Sequence, residues 1–85
     1  MRSPSAYGQP LTPGQIAALR LAAAGYTSRQ IAARLGSTEA GVHRRFKEAA
    51  IRLGARSRTH TVVIALHRGL IRLDDLDLNQ PRSAA

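Results

Sequence analysis

The stretch "GYTSRQIAARLGSTEAGVHRRFKEAAIRLG", residues 25–54, predicts two consecutive helices joined by a tight turn. Thr27, followed three residues later by a glutamine, has the pattern of a capping box, and Gly36 suits the end of a helix of about two turns. A longer helix is expected at about 38–53, because Gly54 follows its last apolar residue.

Similar signals lie on both sides of this stretch. Thr12, with a proline at the first helical position and Gln15 placed to complete a capping box, predicts a first helix that ends near Gly25. Ser57 predicts a fourth helix that runs to about Arg68. The following segment "LIRLDDLDL" fits either a last helical turn or a short extended segment. We therefore expect an all-α fold with a flexible tail at 1–10, a domain at 11–78 and a disordered tail at 79–85.

A helical projection of the longer helix, for which Ser37 or Thr38 is the candidate N-cap, separates two faces. One stripe has the spacing of a core-packing face, and it consists of Val42, Phe46, Ala49 and Leu53. Another side carries the basic or potentially basic residues His43, Arg44 and Lys47. Such a basic face can also be exposed to solvent without binding anything. The charge distribution over the whole chain helps to distinguish these alternatives.

The charge of the chain points to a polyanionic partner. Its 85 residues suffice for one small domain, and the formal net charge is +8 at pH 7. Between Thr27 and Arg58, eight basic residues stand against two acidic ones, so most of the excess lies in one central block. Nucleic acid and an anionic membrane surface are both compatible with this charge.

Several classes of function are disfavoured by what the sequence lacks. It has no cysteine, which excludes disulfides, thiol catalysis and cysteine zinc sites. His60 and His67 stand seven residues apart, and neither a phosphate-binding glycine loop nor a nucleophile and base pair is visible. No signal peptide or membrane span is apparent. We expect no enzyme, no cofactor, no metal and no membrane partner, but a soluble cytoplasmic protein.

A short helix, a tight turn and a longer helix with a cationic outer face are typical of a helix-turn-helix. The second helix of that motif lies in the major groove of DNA, where residues of its N-terminal half reach the base edges. His43, Arg44 and Lys47 occupy that half. Arginine and lysine donate to guanine O6 and N7. The pattern therefore predicts binding of double-stranded DNA.

Residues 11–71 resemble the LuxR/GerE-type helix-turn-helix DNA-binding domain. The marks are "LTP" at the start of the first helix, "AAGYTSRQIAARL" across the first two helices, and "LGARSRTHTVVIAL" between the third and the fourth. The resemblance implies a four-helix fold, a recognition helix in the major groove and pairing of two copies through the fourth helix. It also implies a bacterial transcription regulator that works at the nucleoid.

The resemblance further implies roles for individual residues. Base contacts fall on His43, Arg44 and Lys47, and phosphate contacts on Thr12, Arg29, Thr38, Arg45, Arg56 and Arg58, although Arg58 has a structural role as its alternative. The chain departs from the family where it has Gln15 for an acidic residue, Ser37 for an aliphatic one, Gly41 for threonine and Arg45 for histidine. No receiver or ligand-binding domain precedes the helices, so a stand-alone domain is expected.

The fourth helix carries a second apolar strip. Val62, Ala65 and Leu66 can face the core, whereas Val63 and Ile64 point elsewhere on the projection. Burial of that strip against a second copy would give a two-fold homodimer whose interface includes His60, Val63, Ile64 and His67. Scattered surface aliphatic residues are the alternative.

Two other functions remain open from the sequence. One is a domain similar to region 4 of sigma factors, which binds RNA polymerase as well as promoter DNA; "TSRQIAARLG" fits it, but "LTP" and "GARSRTH" do not. The other is a protein-interaction module, an anti-activator that pairs with larger relatives through its fourth helix.

Overall fold

The computed structural model describes residues 6–72 and residue 74. This part of the chain contains four α-helices and no strand, which confirms the predicted all-α fold. The helices are α1 (Pro13–Ala23), α2 (Ser28–Leu35), α3 (Glu39–Leu53) and α4 (Arg58–His67).

Hydroxyl side chains begin every helix, as the sequence predicted. Each accepts a hydrogen bond from an amide three residues later, and the four caps are Thr12, Thr27, Thr38 and Ser57. Of the two candidates for α3, Thr38 rather than Ser37 is therefore the cap. Gly36 and Gly54 end α2 and α3 at φ values of 63° and 69°. This left-handed conformation is costly for a residue with a Cβ, so glycine sets both helix ends.

Helix α3 lies at the centre of the domain and contacts the other three helices. The stripe predicted for its inner face is buried as expected: Val42, Phe46, Ala49 and Leu53. Leu19 of α1, Ile31 of α2 and Ala65 of α4 are fully buried in the same cluster. Because this face of α3 is buried in the core, the side chains on its opposite face remain exposed.

The chain after α4 turns back onto the core. The amides of Leu70 and Ile71 both donate to the carbonyl of Ala65, at 2.8 and 3.4 Å, and Ile71 is only 1% exposed. The start of "LIRLDDLDL" is therefore a bend that anchors one isoleucine, which neither sequence alternative described. The rest of that segment, apart from residue 74, and the predicted tail at 79–85 lie outside the described residues.

Residues 6–10, which the sequence analysis assigned to a flexible tail, contact the end of α3. The amide of Gly8 donates to the carbonyl of Arg52 at 2.8 Å, and the Arg52 Nη1 donates to the carbonyl of Pro10 at 2.6 Å. The ring of Tyr7 lies against Gly54, because a Cβ built on Gly54 would be 2.7 Å from the Tyr7 Cε1. These contacts attach the segment to the end of α3. Residues 1–5 lie outside the described part.

The outer side of α4 is only partly as predicted. Val63 is 54% exposed, in agreement with the projection. Ile64, which the projection placed away from the core, is half-buried and packs against it. Thr61 occupies an unexpected core position, which it tolerates because its hydroxyl donates to the carbonyl of Ser57 at 2.6 Å.

Candidate nucleic-acid interface

The residues predicted to contact DNA bases lie on the outer face of α3. His43, Arg44 and Lys47 are all exposed, whereas Val42 and Phe46 beside them in the sequence are buried. Because residues three and four apart are neighbours on a helix, the three exposed side chains form one patch. The core contacts of α3 therefore direct a cationic surface outward from its N-terminal half.

The turn between α2 and α3 is three residues long. It consists of Gly36, Ser37 and Thr38, and the amide of Ser37 donates to the carbonyl of Ala32 at 2.9 Å. Two helices that pack on each other across so short a turn form a helix-turn-helix unit.

Thr12 and Thr38 place exposed hydroxyl groups at the N-termini of α1 and α3. The Thr12 oxygen accepts from the amide of Gln15 at 3.1 Å, and the Thr38 oxygen accepts from the amide of Gly41 at 3.0 Å. A hydroxyl that accepts in this way can still donate its own hydrogen. Both residues therefore remain suitable for a phosphate oxygen, which helix N-termini also attract.

A cleft of about 420 Å³ separates the start of α1 from α3. Its lining combines three guanidinium groups, one carboxylate and several small or hydroxyl-bearing residues: Thr12, Gly14, Gln15, Ser37, Gly41, Arg44, Arg45, Glu48 and Arg52. The half-buried Arg45 packs over Gly14, since a Cβ built on Gly14 would lie 3.5 Å from the Arg45 Cζ. The excess of positive charge makes this cleft suitable for an anionic group.

Gln15 joins the two walls of the cleft. It is only 2% exposed, and its Oε1 accepts from the amide of Thr12 at 3.0 Å while its Nε2 donates to the Glu48 Oε1 at 3.3 Å. The sequence predicted the bond to Thr12 from the capping box. The bond to Glu48 was missed, because it joins residues 33 positions apart and depends on how α1 packs on α3.

Arg58 has an internal role. Its Nη1 donates to the Ser28 Oγ at 2.7 Å, its Nη2 donates to the carbonyl of Tyr26 at 3.0 Å, and its Cζ lies 4.3 Å from the centroid of the Phe46 ring. The guanidinium thus connects the start of α4 to α2 and α3. These contacts favour the structural alternative over the phosphate contact.

The remaining predicted residues lie on α2, α4 and the connection between α3 and α4. Arg29 and Arg56 are exposed, and the amide of Arg56 donates to the His60 Nδ1 at 3.0 Å. On α4, His60 is half-buried and His67 is exposed. Of the predicted interface residues, Val63 and His67 are thus the most accessible.

The comparisons with known proteins agree with this geometry. A family model described as bacterial regulatory proteins, luxR family, matches residues 9–65. That match covers more than half of the chain, so the chain belongs to this family of DNA-binding transcription regulators, which is not an enzyme family. Searches of curated proteins and of solved structures gave no match.

None of the helices within residues 6–72 combines the length and the apolar character that crossing a membrane requires. Nor do the described side chains include a group of three or more histidine, cysteine, aspartate or glutamate residues that could hold a metal ion.

Proposed function

We propose that this chain is a sequence-specific regulator that binds double-stranded DNA with α3 in the major groove. The observation that carries the proposal is the exposed patch of His43, Arg44 and Lys47 on a helix whose opposite face is fixed in the core. An α-helix fits the width of the major groove, and a rigid helix presents its side chains in a constant register.

The chemistry of the patch suits the edges of base pairs. Arg44 can form two hydrogen bonds with guanine O6 and N7, and Lys47 can donate to the same acceptors. His43 can donate or accept, depending on its tautomer. These residues would therefore select guanine-containing sites, with Arg44 contributing the most directional contact.

The surrounding groups are suited to the DNA backbone. We assign phosphate contacts to Thr12, Arg29, Thr38, Arg45 and Arg56, and we give Arg58 the structural role that its contacts support. Phosphate contacts fix register and orientation without reading sequence. We therefore expect the base-contacting residues of α3 to determine the sequence preference. The phosphate-contacting residues around them should determine the salt-dependent part of the affinity.

A homodimer through α4 forms the second part of the proposal. The exposed Val63 and His67, with the half-buried His60 and Ile64 on the same helix, would face a second copy. Two-fold pairing would present two α3 helices to half-sites about one helical turn apart. Pairing with a larger regulator through the same helix, or a contact with RNA polymerase, would instead be compatible with a monomeric chain in solution.

The test is selection of bound fragments from randomised duplex DNA, followed by titration of the selected site. Arg44→Ala and Lys47→Ala should each reduce the preference for the selected site over random DNA, by about 1–3 kcal/mol per lost bidentate contact. Arg68→Ala removes an exposed arginine at the C-terminal cap of α4 and serves as the matched control. Unchanged preference in both α3 variants would contradict the proposal.

A further inference from the structure

The hydroxyl group of Ser37 occupies the place toward which a side chain at position 41 would project. A Cβ built on Gly41, in the first turn of α3, would lie 2.6 Å from the Ser37 Oγ and 3.3 Å from the Thr38 Oγ1. Two hydroxyl oxygens therefore converge on the first turn of the helix. Gly41 allows Ser37 to lie there, because any larger residue would displace the Ser37 oxygen.

The side chain of Ser37 is only weakly engaged within the described part of the protein. Its hydroxyl donates to the carbonyl of Thr38 at 3.5 Å, which is long for a hydrogen bond between oxygens. Redirecting such a hydrogen toward a better acceptor would cost little. Ser37 is also half-buried, so its position is confined by neighbouring atoms while part of it stays accessible.

The accessible side of Ser37 lies in the cleft between α1 and α3. Arg44, Arg45 and Arg52 line the same cleft, with Glu48 as the one carboxylate of its lining. A group held there would meet an excess of positive charge and a hydroxyl donor. Phosphate matches both features, because its oxygens are anionic and accept several hydrogen bonds at once.

We propose that the Ser37 hydroxyl donates a hydrogen bond to a backbone phosphate of bound DNA, and that Gly41 keeps this hydroxyl against the first turn of α3. The inference rests on the proposed DNA-binding function and adds a positioning residue to it. Arg45 supplies the charge at this phosphate, and Ser37 fixes the phosphate relative to the start of α3. The register of the base-reading patch would follow from that contact.

The experiment measures binding of a fluorescent random-sequence duplex to the wild-type chain and to a set of variants over a range of salt concentrations. Ser37→Ala should weaken binding by about tenfold, which corresponds to about 1.4 kcal/mol. The slope of log affinity against log salt should not change, because a neutral hydroxyl displaces no counterion. The melting temperature, measured alongside, should stay near that of the wild-type chain.

Variants at Gly41 separate a phosphate contact from a turn-stabilising role. Gly41→Ala should weaken binding by displacing the Ser37 hydroxyl, although alanine favours the helix more than glycine does. In the Ser37→Ala background the same change should add no further loss, because both act through one hydroxyl. Combining Ser37→Ala with Gly41→Ser returns a hydroxyl to the same place and should recover most of the affinity.

The outcomes distinguish this inference from the proposed function. A wild-type chain that binds no duplex at any salt concentration would refute the proposed function. A wild-type chain that binds, with Ser37→Ala binding equally well, would overturn the role of Ser37 alone. Additive losses for Ser37→Ala and Gly41→Ala, or a loss that follows a fall in melting temperature, would also overturn it.

Discussion

The guanidinium carbon of Arg58 lies 4.3 Å from the centroid of the Phe46 ring, so the first residue of α4 packs against the inward face of α3. The same guanidinium donates to the Ser28 hydroxyl and to the Tyr26 carbonyl. One side chain thereby links the start of α4 to both helices of the helix-turn-helix unit.

Arg58→Ala should destabilise the fold. It removes two hydrogen bonds from a charged donor and a contact between a cation and a ring, so the loss should be about 2–3 kcal/mol. Thermal unfolding should show a midpoint about 10–20 °C lower for a domain of this size. Arg56→Ala, at a neighbouring exposed arginine, is the control that should leave the midpoint unchanged. Equal midpoints for the two variants would argue against the structural role of Arg58.

The bond between Gln15 and Glu48 makes the charge of residue 15 important for stability. Gln15→Glu would place a second carboxylate at the position from which the Nε2 now donates to Glu48 at 3.3 Å, in a site that is only 2% exposed. Repulsion and desolvation should lower the free energy of unfolding by about 2 kcal/mol, as measured by urea denaturation.

A second substitution tests the cause of that loss. Glu48→Gln removes the opposing charge, so adding it to Gln15→Glu should restore most of the stability. A double variant as unstable as Gln15→Glu alone would show that the repulsion arises elsewhere.

Arg45 should contribute to affinity without contributing to sequence preference. Loss of one phosphate contact in Arg45→Ala should reduce the magnitude of the slope of log affinity against log salt by about 0.9. Titrations of the selected site and of random DNA at several salt concentrations give both quantities. Arg68→Ala is again the matched control. A changed preference with an unchanged slope would instead place Arg45 at the bases.

Val63 allows a test of self-association that leaves the core intact. It is 54% exposed, so Val63→Glu should not disturb folding but should place a carboxylate in the proposed dimer interface. Sedimentation should then show a monomer where the wild-type chain is a dimer. Ile51→Glu, at an apolar residue of α3 with 47% exposure, should leave the dimer unchanged. Persistence of the dimer in Val63→Glu would move the interface elsewhere.

Local features of the fold could be predicted from the sequence, because they depend on residues close together in the chain. The caps Thr12 and Thr27, the helix end at Gly54, and the buried and exposed sides of α3 follow from spacing and residue type alone. The family resemblance then assigned roles to the exposed side. Contacts between distant segments could not be predicted from the sequence, because their geometry depends on helix packing.

Three contacts between distant parts of the chain were not predicted from the sequence. The Gln15 bond to Glu48, the contacts of Arg58 with Ser28 and Phe46, and the attachment of residues 6–10 to α3 all join separate parts of the chain. The place of Ser37 over Gly41 is local, yet it depends on a side-chain rotamer that residue spacing does not specify. The side chains that carry the candidate interface could thus be named from the sequence, but most of their supporting contacts could not.

DNA binding through α3 can be tested most directly by following the backbone amide resonances of the chain while a selected DNA duplex is added. We predict that the largest shifts fall on residues 43–47 of α3 and on the N-terminal ends of α1 and α3. Large shifts confined to other parts of the chain, with the amides of His43, Arg44 and Lys47 unperturbed at saturation, would contradict it.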